Sequence, residues 1–216
     1  MPDRFILDVV SDVICPWCFL GKRRLDAALA SLDGLNVFVR WRPFMLDPGI
    51  PPEGLDRHEY MLAKFGPERL KTIHDPLIAA GEELGVPFNF EAIARTPNTL
   101  DAHRLIRWSH TVERQHEMAE RLFMAYWNEG RDVSDRDVLA ACAGEAGINA
   151  QQIRELLDSE QDVAETTAEI QHATNIGVTG VPTFILGQSY ALVGAQSPDV
   201  LADAINRVAK EIAEES

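Results

Sequence analysis

The sequence predicts an α/β protein: a four-stranded mixed sheet whose chain is interrupted by a long, all-helical insertion. Three observations carry this. Phe5-Ile6-Leu7-Asp8-Val9-Val10 is a nearly continuous apolar run with β-branched residues, which reads as a buried parallel strand. The chain then passes through Cys15-Pro16-Trp17-Cys18 into Leu25, Ala28, Leu29 and Leu32 at helical spacing. At the far end, a helix, two short strands and a last helix follow one another. The 216 residues suit one domain with a sizeable insertion. We place a discontinuous sheet domain at 1–45 and 160–216, and the helical insertion at 46–159.

Taken in order, the first helix gives way to a turn at Asp33-Gly34 and a strand over residues 36–42. Val37, Val39 and Trp41 fall on one face of that strand, and Phe38, Arg40 and Arg42 on the other. Strand, helix and strand make a βαβ unit with a right-handed crossover. The stretch Asp47-Pro48-Gly49-Ile50-Pro51-Pro52 is irregular, because proline lacks a donor and restricts its predecessor. Helices are predicted over 56–64, from Pro67 to near Gly85, and from Thr99, where Ala102, Leu105 and Ile106 share a face. Residues 85–96 read as a loop, with Phe88 and Phe90 available to line a pocket. Met118, Leu122 and Tyr126 mark another helix. Ser134-x-x-Asp137 resembles a capping box for the helix that carries Cys142 and ends at Gly147. A short helix spans 150–157, and a longer one covers 162–174, closed by Gly177. Residues 183–186 and 190–193 pair as a hairpin around a two-residue Gly187-Gln188 turn. Ser197-Pro198 caps the final helix, whose stripe is Leu201, Ala204, Ile205, Val208 and Ile212.

The Cys-x-x-Cys motif therefore sits where a strand ends and a helix begins. Two cysteines at this spacing can close a small disulfide ring and reopen it by thiolate attack. A helix N-terminus offers free N–H groups and a partial positive charge, and both stabilise a thiolate. Cys15, expected to be the more exposed, is the predicted nucleophile; Cys18 is the predicted resolving thiol. Lys22, Arg23 and Arg24 add positive charge a turn or two along. A structural bridge is the weaker reading, because closing so short a loop constrains little. Zinc needs about four ligands. Cys142 is the one further cysteine and no His-x₃-His pair accompanies it, so no metal is expected.

The net charge of −14 argues against a nucleic-acid surface, while leaving room for a local basic patch. No apolar run approaches the roughly 18 residues of a membrane span, and Met1-Pro2-Asp3-Arg4 lacks the basic and apolar regions of a secretion signal. A cytoplasmic protein is expected, in which three cysteines favour catalysis over a disulfide scaffold. Cys142, in an alanine-rich helix, reads as a small buried hydrophobe. Asp8 admits two readings, a proton shuttle beneath the motif or a capped carboxylate. His103 and His110 are separated by roughly 10.5 Å along a helix, too far for one metal. Phe88, Phe90, Trp108 and Trp127 read mainly as core.

Several stretches together resemble a known family. Ser11-Asp12-x-x-Cys15-Pro16-Trp17-Cys18, Gly21-Lys22, Asn98-Thr99-x-x-Ala102-His103-Arg104-Leu105, Gly180-Val181-Pro182-Thr183 and Gly194-Ala195-Gln196 are similar to DsbA-like thiol–disulfide oxidoreductases of the FrnE type. The resemblance covers nearly the whole chain and implies a thioredoxin fold with an inserted helical domain. It implies Cys15 and Cys18 as the catalytic pair, and Pro16, Trp17, Val181, Pro182, Asn98 and Gln196 as substrate-binding residues. It also implies a cis Val181–Pro182 bond, which would leave the Val181 backbone to pair with an extended peptide or glutathione beside Cys15. A plain strand start, where proline is tolerated, is the other reading of Pro182. The implied partners are thiol- or disulfide-bearing proteins, peptides or small molecules. Glutathione is implied as a substrate or redox partner, with no tightly bound cofactor. Kappa-class glutathione transferases and 2-hydroxychromene-2-carboxylate isomerases resemble the same insertion pattern. They use a serine where this chain has Cys15, and a Ser-Asp pair is favoured where it has Gln196. A peptide-holding module independent of both cysteines is a third expectation.

Overall fold

A computed structural model describes residues 4–215; Met1, Pro2 and Asp3, read above for a secretion signal, lie outside them. The first strand, β1 (Phe5–Ser11), is buried along most of its length, as its apolar run predicts. Helix α1 (Pro16–Ala30) follows, then β2 (Val37–Pro43), parallel to β1 with Phe5 opposite Val37 and Val9 opposite Trp41. The insertion begins with a two-residue strand β3 (Leu55–Asp56) and runs through α2 (Arg57–Leu70), α3 (Asp75–Leu84) and β4 (Arg95–Thr96). Four further helices complete it and lead back to the sheet: α4 (Leu100–Ser109), α5 (Gln115–Trp127), α6 (Arg136–Glu145) and α7 (Ala150–Leu157). Then come α8 (Val163–Asn175), the hairpin β5 (Thr183–Leu186) and β6 (Tyr190–Val193), and α9 (Pro198–Glu215).

The main sheet has the order β2–β1–β5–β6, with β5 antiparallel to β1. Alternation along the strands sends Leu7, Val9, Trp41, Phe184 and Leu186 into one large apolar cluster with α1, α5 and α9. Phe19 of α1 and Phe123 of α5 stack there at 5.3 Å. The opposite face is thinner: Val10 meets Ala173 of α8 and Val178. The large cluster also takes in Leu139, Ile153 and Leu157, so the helical insertion and the sheet share one core. Among the described residues no helix is long and apolar enough to cross a membrane.

Four local expectations are corrected. The helix predicted from Pro67 to Gly85 is two helices, because Asp75-Pro76 starts a new first turn and proline cannot donate to the preceding one. A kink at Gly66, with φ 75°, precedes Pro67. The cap of α6 is Asp135, whose carboxylate accepts from the Asp137 and Val138 N–H groups, while Ser134 bonds to Asp132. The β5–β6 loop has three residues, Gly187 to Ser189, since Leu186 pairs with Tyr190. The β3–β4 ladder, which pairs Leu55 with Thr96 and Asp56 with Arg95, replaces the loop expected at Arg95 and Thr96 and the helix start expected at Asp56, because two-residue strands carry too little pattern to register.

Candidate active site

Cys15 is the N-cap of α1, in extended conformation, with Pro16 in the first turn. Its carbonyl accepts from the Cys18 N–H at 3.0 Å, so Cys18 sits within the opening turn. Both thiols are free, as expected of a pair that can cycle. Cys15 is less accessible than expected: it is 4% exposed and Cys18 1%. The difference survives in position, because Cys15 lines a groove and Cys18 faces the core. The Cys15 thiol donates to the Val181 carbonyl at 3.5 Å, so that carbonyl, expected to be free for substrate, already has a partner. The Val181–Pro182 bond is cis.

Several residues fix this turn. Gly21, one turn beyond Cys18, faces Pro182: a Cβ there would stand 2.8 Å from the Pro182 ring and 3.4 Å from Phe184. Only glycine lets α1 approach the Val181–Pro182 segment so closely. Trp127 of α5 donates its indole N–H to the Val13 carbonyl at 3.0 Å, anchoring the chain just before Cys15. Asp12 is fully buried, accepts the Leu46 N–H at 2.8 Å, and its carbonyl accepts the Cys15 N–H at 3.0 Å. His103 is buried against it, 3.5 Å from Asp12 Oδ1 and 2.9 Å from the Phe44 carbonyl. Asp12 and His103 thus stitch the motif to the start of the insertion. Both stand in the stretches quoted for the family resemblance, but their contact is tertiary and leaves no spacing in the sequence.

Burial pushes the Cys18 thiol well above its ordinary pKa, and its interaction with Cys15 works in the same direction. Hydrogen bonding from Ser11 and from the Asp12 backbone opposes the rise. The cations expected to serve the motif are engaged elsewhere. Lys22 pairs with Asp26 at 2.7 Å and Glu120 at 3.0 Å, Arg23 pairs with Glu120, and Arg24 donates to the Ala195 carbonyl. Asp8 is held by Arg40 and Arg42 at 2.6–2.8 Å on the other face of the sheet, which counts against the proton-shuttle reading. Cys142 is fully buried, and burial raises its thiol, so it behaves as a core hydrophobe. Among the described residues no group of three His, Cys, Asp or Glu side chains is placed to hold a metal.

The groove holds about 370 Å³ between the α1 N-terminus and helices α2, α3 and α5. Cys15, Pro16, Trp17 and Val181 line it, with Trp17 exposed at the rim. Pro182 lies behind them, against Gly21. Of the aromatics, Phe90 and Trp127 line the groove; Phe88 packs on Phe19, and Trp108 donates to Asp162 in a different cavity. Asn98 and Gln196 are not brought to the groove. The Asn98 side chain donates to the Ile50 carbonyl at 2.6 Å and accepts the Leu100 N–H at 3.0 Å, opening α4. Gln196 donates to the Val193 carbonyl at 2.6 Å, closing the turn after β6. Tyr60, which lines the groove and donates to Asp47 at 3.0 Å, was not singled out in the sequence.

The DSBA-like thioredoxin domain model matches residues 6–206. The uncharacterized protein YwbO of Bacillus subtilis (strain 168) is 30% identical over 203 residues, covering 93% of this chain and 95% of its own. Glutathione S-transferase kappa 1 of Rattus norvegicus is 26% identical over 213 residues, covering 91% and 89%. A solved structure described as a probable DsbA oxidoreductase from Streptomyces coelicolor superposes with a TM-score of 0.86 at 29% identity, covering 96% of this chain and 91% of that one. With that family model matching the chain along almost its full length, the chain belongs to the DSBA-like thioredoxin domain family.

Proposed function

We propose that the protein is a thiol–disulfide oxidoreductase that works through a Cys15–Cys18 dithiol. The observation that carries this reading is the placement of both free thiols in the opening turn of α1, with Cys15 on the groove and Cys18 behind it. In the reducing direction the Cys15 thiolate attacks a substrate disulfide. That bond breaks, and one substrate sulfur leaves with its electron pair and takes a proton. Cys18 then attacks Cys15, releases the second substrate thiol and closes the Cys15–Cys18 disulfide, a two-electron transfer overall. The oxidising direction is the reverse, with a substrate thiolate attacking Cys15. Pro16, Trp17, Val181 and Pro182 shape the place where the substrate sulfur meets Cys15. Asn98 and Gln196 act at a distance, holding the starts of α4 and of the turn before α9.

A second reading takes support from the kappa-class relative: binding of glutathione and activation of its thiol at the α1 N-terminus, for conjugation or isomerisation. Two variants separate the readings. Cys15→Ser is expected to abolish exchange with a peptide disulfide. Cys18→Ser is expected to attack once and stop at a mixed disulfide, visible as an added mass removable by dithiothreitol. Exchange at wild-type rate in Cys15→Ser contradicts the dithiol mechanism. Glutathione conjugation that survives in Cys15→Ser favours the second reading.

A further inference from the structure

We propose that the groove beside Cys15 selects thiols and disulfides that carry carboxylates on an aromatic or apolar body. The proposal rests on the dithiol reading and names the substrate class of that same site.

The groove has the opposite charge to the molecule. The chain carries −14 overall, yet Arg57, Lys64 and Arg69 line the groove and no Asp or Glu does. Arg57 is half-buried, donates to the Tyr126 hydroxyl at 3.1 Å and lies over the Trp127 ring at 5.5 Å. Arg69 lies over Phe65 at 5.4 Å. Among the described residues neither arginine has a carboxylate partner, whereas Arg104, Arg121, Arg131, Arg136 and Arg154 are all ion-paired. Two carboxylates stand at its edge: Asp47, which accepts from Tyr60 and lies 3.9 Å from Lys64, and Asp75, whose charge acts on His74. That leaves a net excess of positive charge on the wall facing Cys15.

The rest of the wall is aromatic. The His74 ring stacks on Phe90 at 3.9 Å. Burial and then the Arg57 charge lower the His74 pKa from its ordinary value, so at neutral pH the ring is an uncharged surface. Guanidinium groups resting on ring faces stay oriented and readily bind carboxylates in a two-toothed manner. A concave site of this volume suits a small molecule. Field focusing in such a cleft raises the on-rate of an oppositely charged ligand by about tenfold or more, and salt removes the gain.

The test uses the reduced full chain and three small disulfides: dianionic 5,5′-dithiobis(2-nitrobenzoate), neutral 4,4′-dithiodipyridine and dicationic cystamine. In each reaction Cys15 displaces one probe thiolate, Cys18 displaces the second, and the probe gains the two electrons the dithiol loses. Each rate is divided by that of the same probe with 2-mercaptoethanol, which removes intrinsic reactivity. The expected ranking is dianion over neutral by about tenfold, and neutral over dication. The dianion-to-neutral ratio is expected to collapse toward one in Lys64→Glu/Arg69→Glu, both at exposed positions, and in high salt. A matched Arg207→Glu/Lys210→Glu change on α9 is expected to leave the ratio in place. Equal normalised rates in the wild type, or a ratio that survives Lys64→Glu/Arg69→Glu, overturn the proposal alone. If no probe yields a Cys15–Cys18 disulfide, the dithiol reading fails and this inference fails with it.

Discussion

Cys15 and Cys18 lie in one helical turn but meet different demands. Cys15 reaches the groove, whereas Cys18 must ionise inside the core to resolve a mixed disulfide. Burial pushes the Cys18 thiol well above its ordinary value, against the opposing bonds from Ser11 and Asp12. The resolving step is therefore expected to quicken with pH, by about tenfold per unit, through and beyond the ordinary thiol pKa near 8.5. Acid quenching of a preformed Cys15 mixed disulfide at several pH values reads this directly. A plateau reached below pH 8 contradicts it. The stability sign follows from the same shift: the unfolded thiol loses its proton first, so the reduced protein loses stability as pH rises from the ordinary thiol range toward the folded value. At this scale the placement of the two cysteines at the head of α1 and the cis bond before Pro182 were legible, because each is tied to its own residue type. The pairing of Lys22 and Arg23 with Glu120 was not readable, since counting charges along a helix says nothing of a carboxylate on another one.

Among the elements, the contact between α1 and the Val181–Pro182 segment sets where Cys15 meets the groove. Gly21 sets that distance, because a methyl group there meets the Pro182 ring, which cannot rotate away. Gly21→Ala is expected to cost about 1–3 kcal/mol as overpacking and to change the alkylation rate of Cys15. Urea unfolding and iodoacetamide kinetics measure the two effects. An unchanged midpoint with unchanged Cys15 reactivity refutes the role given to Gly21. Two helices were legible to within a residue or two: α7 falls at Ala150–Leu157, and α9, with its long apolar stripe, starts at Pro198. Where a proline interrupts a helical pattern, as at Pro76, periodicity ran on and the break had to come from backbone chemistry. Asn98 and Gln196 show a related limit. A motif can place a polar side chain near a site in sequence while a carbonyl nearby takes its hydrogen bonds.

In the whole molecule, one apolar cluster runs from the sheet through Phe123 into Leu139 and Leu157. We propose that 46–159 is an insertion in chain order that does not unfold by itself. Denaturation is expected to give a single transition, coincident for tryptophan fluorescence and far-ultraviolet circular dichroism. Two resolved transitions contradict this. The parallel β1–β2 unit and the β5–β6 hairpin were legible, because the chain alternates strand and helix at both ends; the antiparallel pairing of β5 with β1 that sets the strand order was not. The charge inversion at the groove was not, because Arg57, Lys64 and Arg69 act together only once α2 is folded beside α1.

The central claim is that Cys15 and Cys18 exchange two electrons as a pair. The most direct test equilibrates the protein in glutathione buffers at pH 7, traps thiols by alkylation and weighs the products. A reversible loss of two hydrogens, with a midpoint between about −270 and −120 mV, is the expected result. Retention of both free thiols across that range, or glutathione added to Cys15 without closure to Cys18, contradicts the account and favours a glutathione-binding role for the same site.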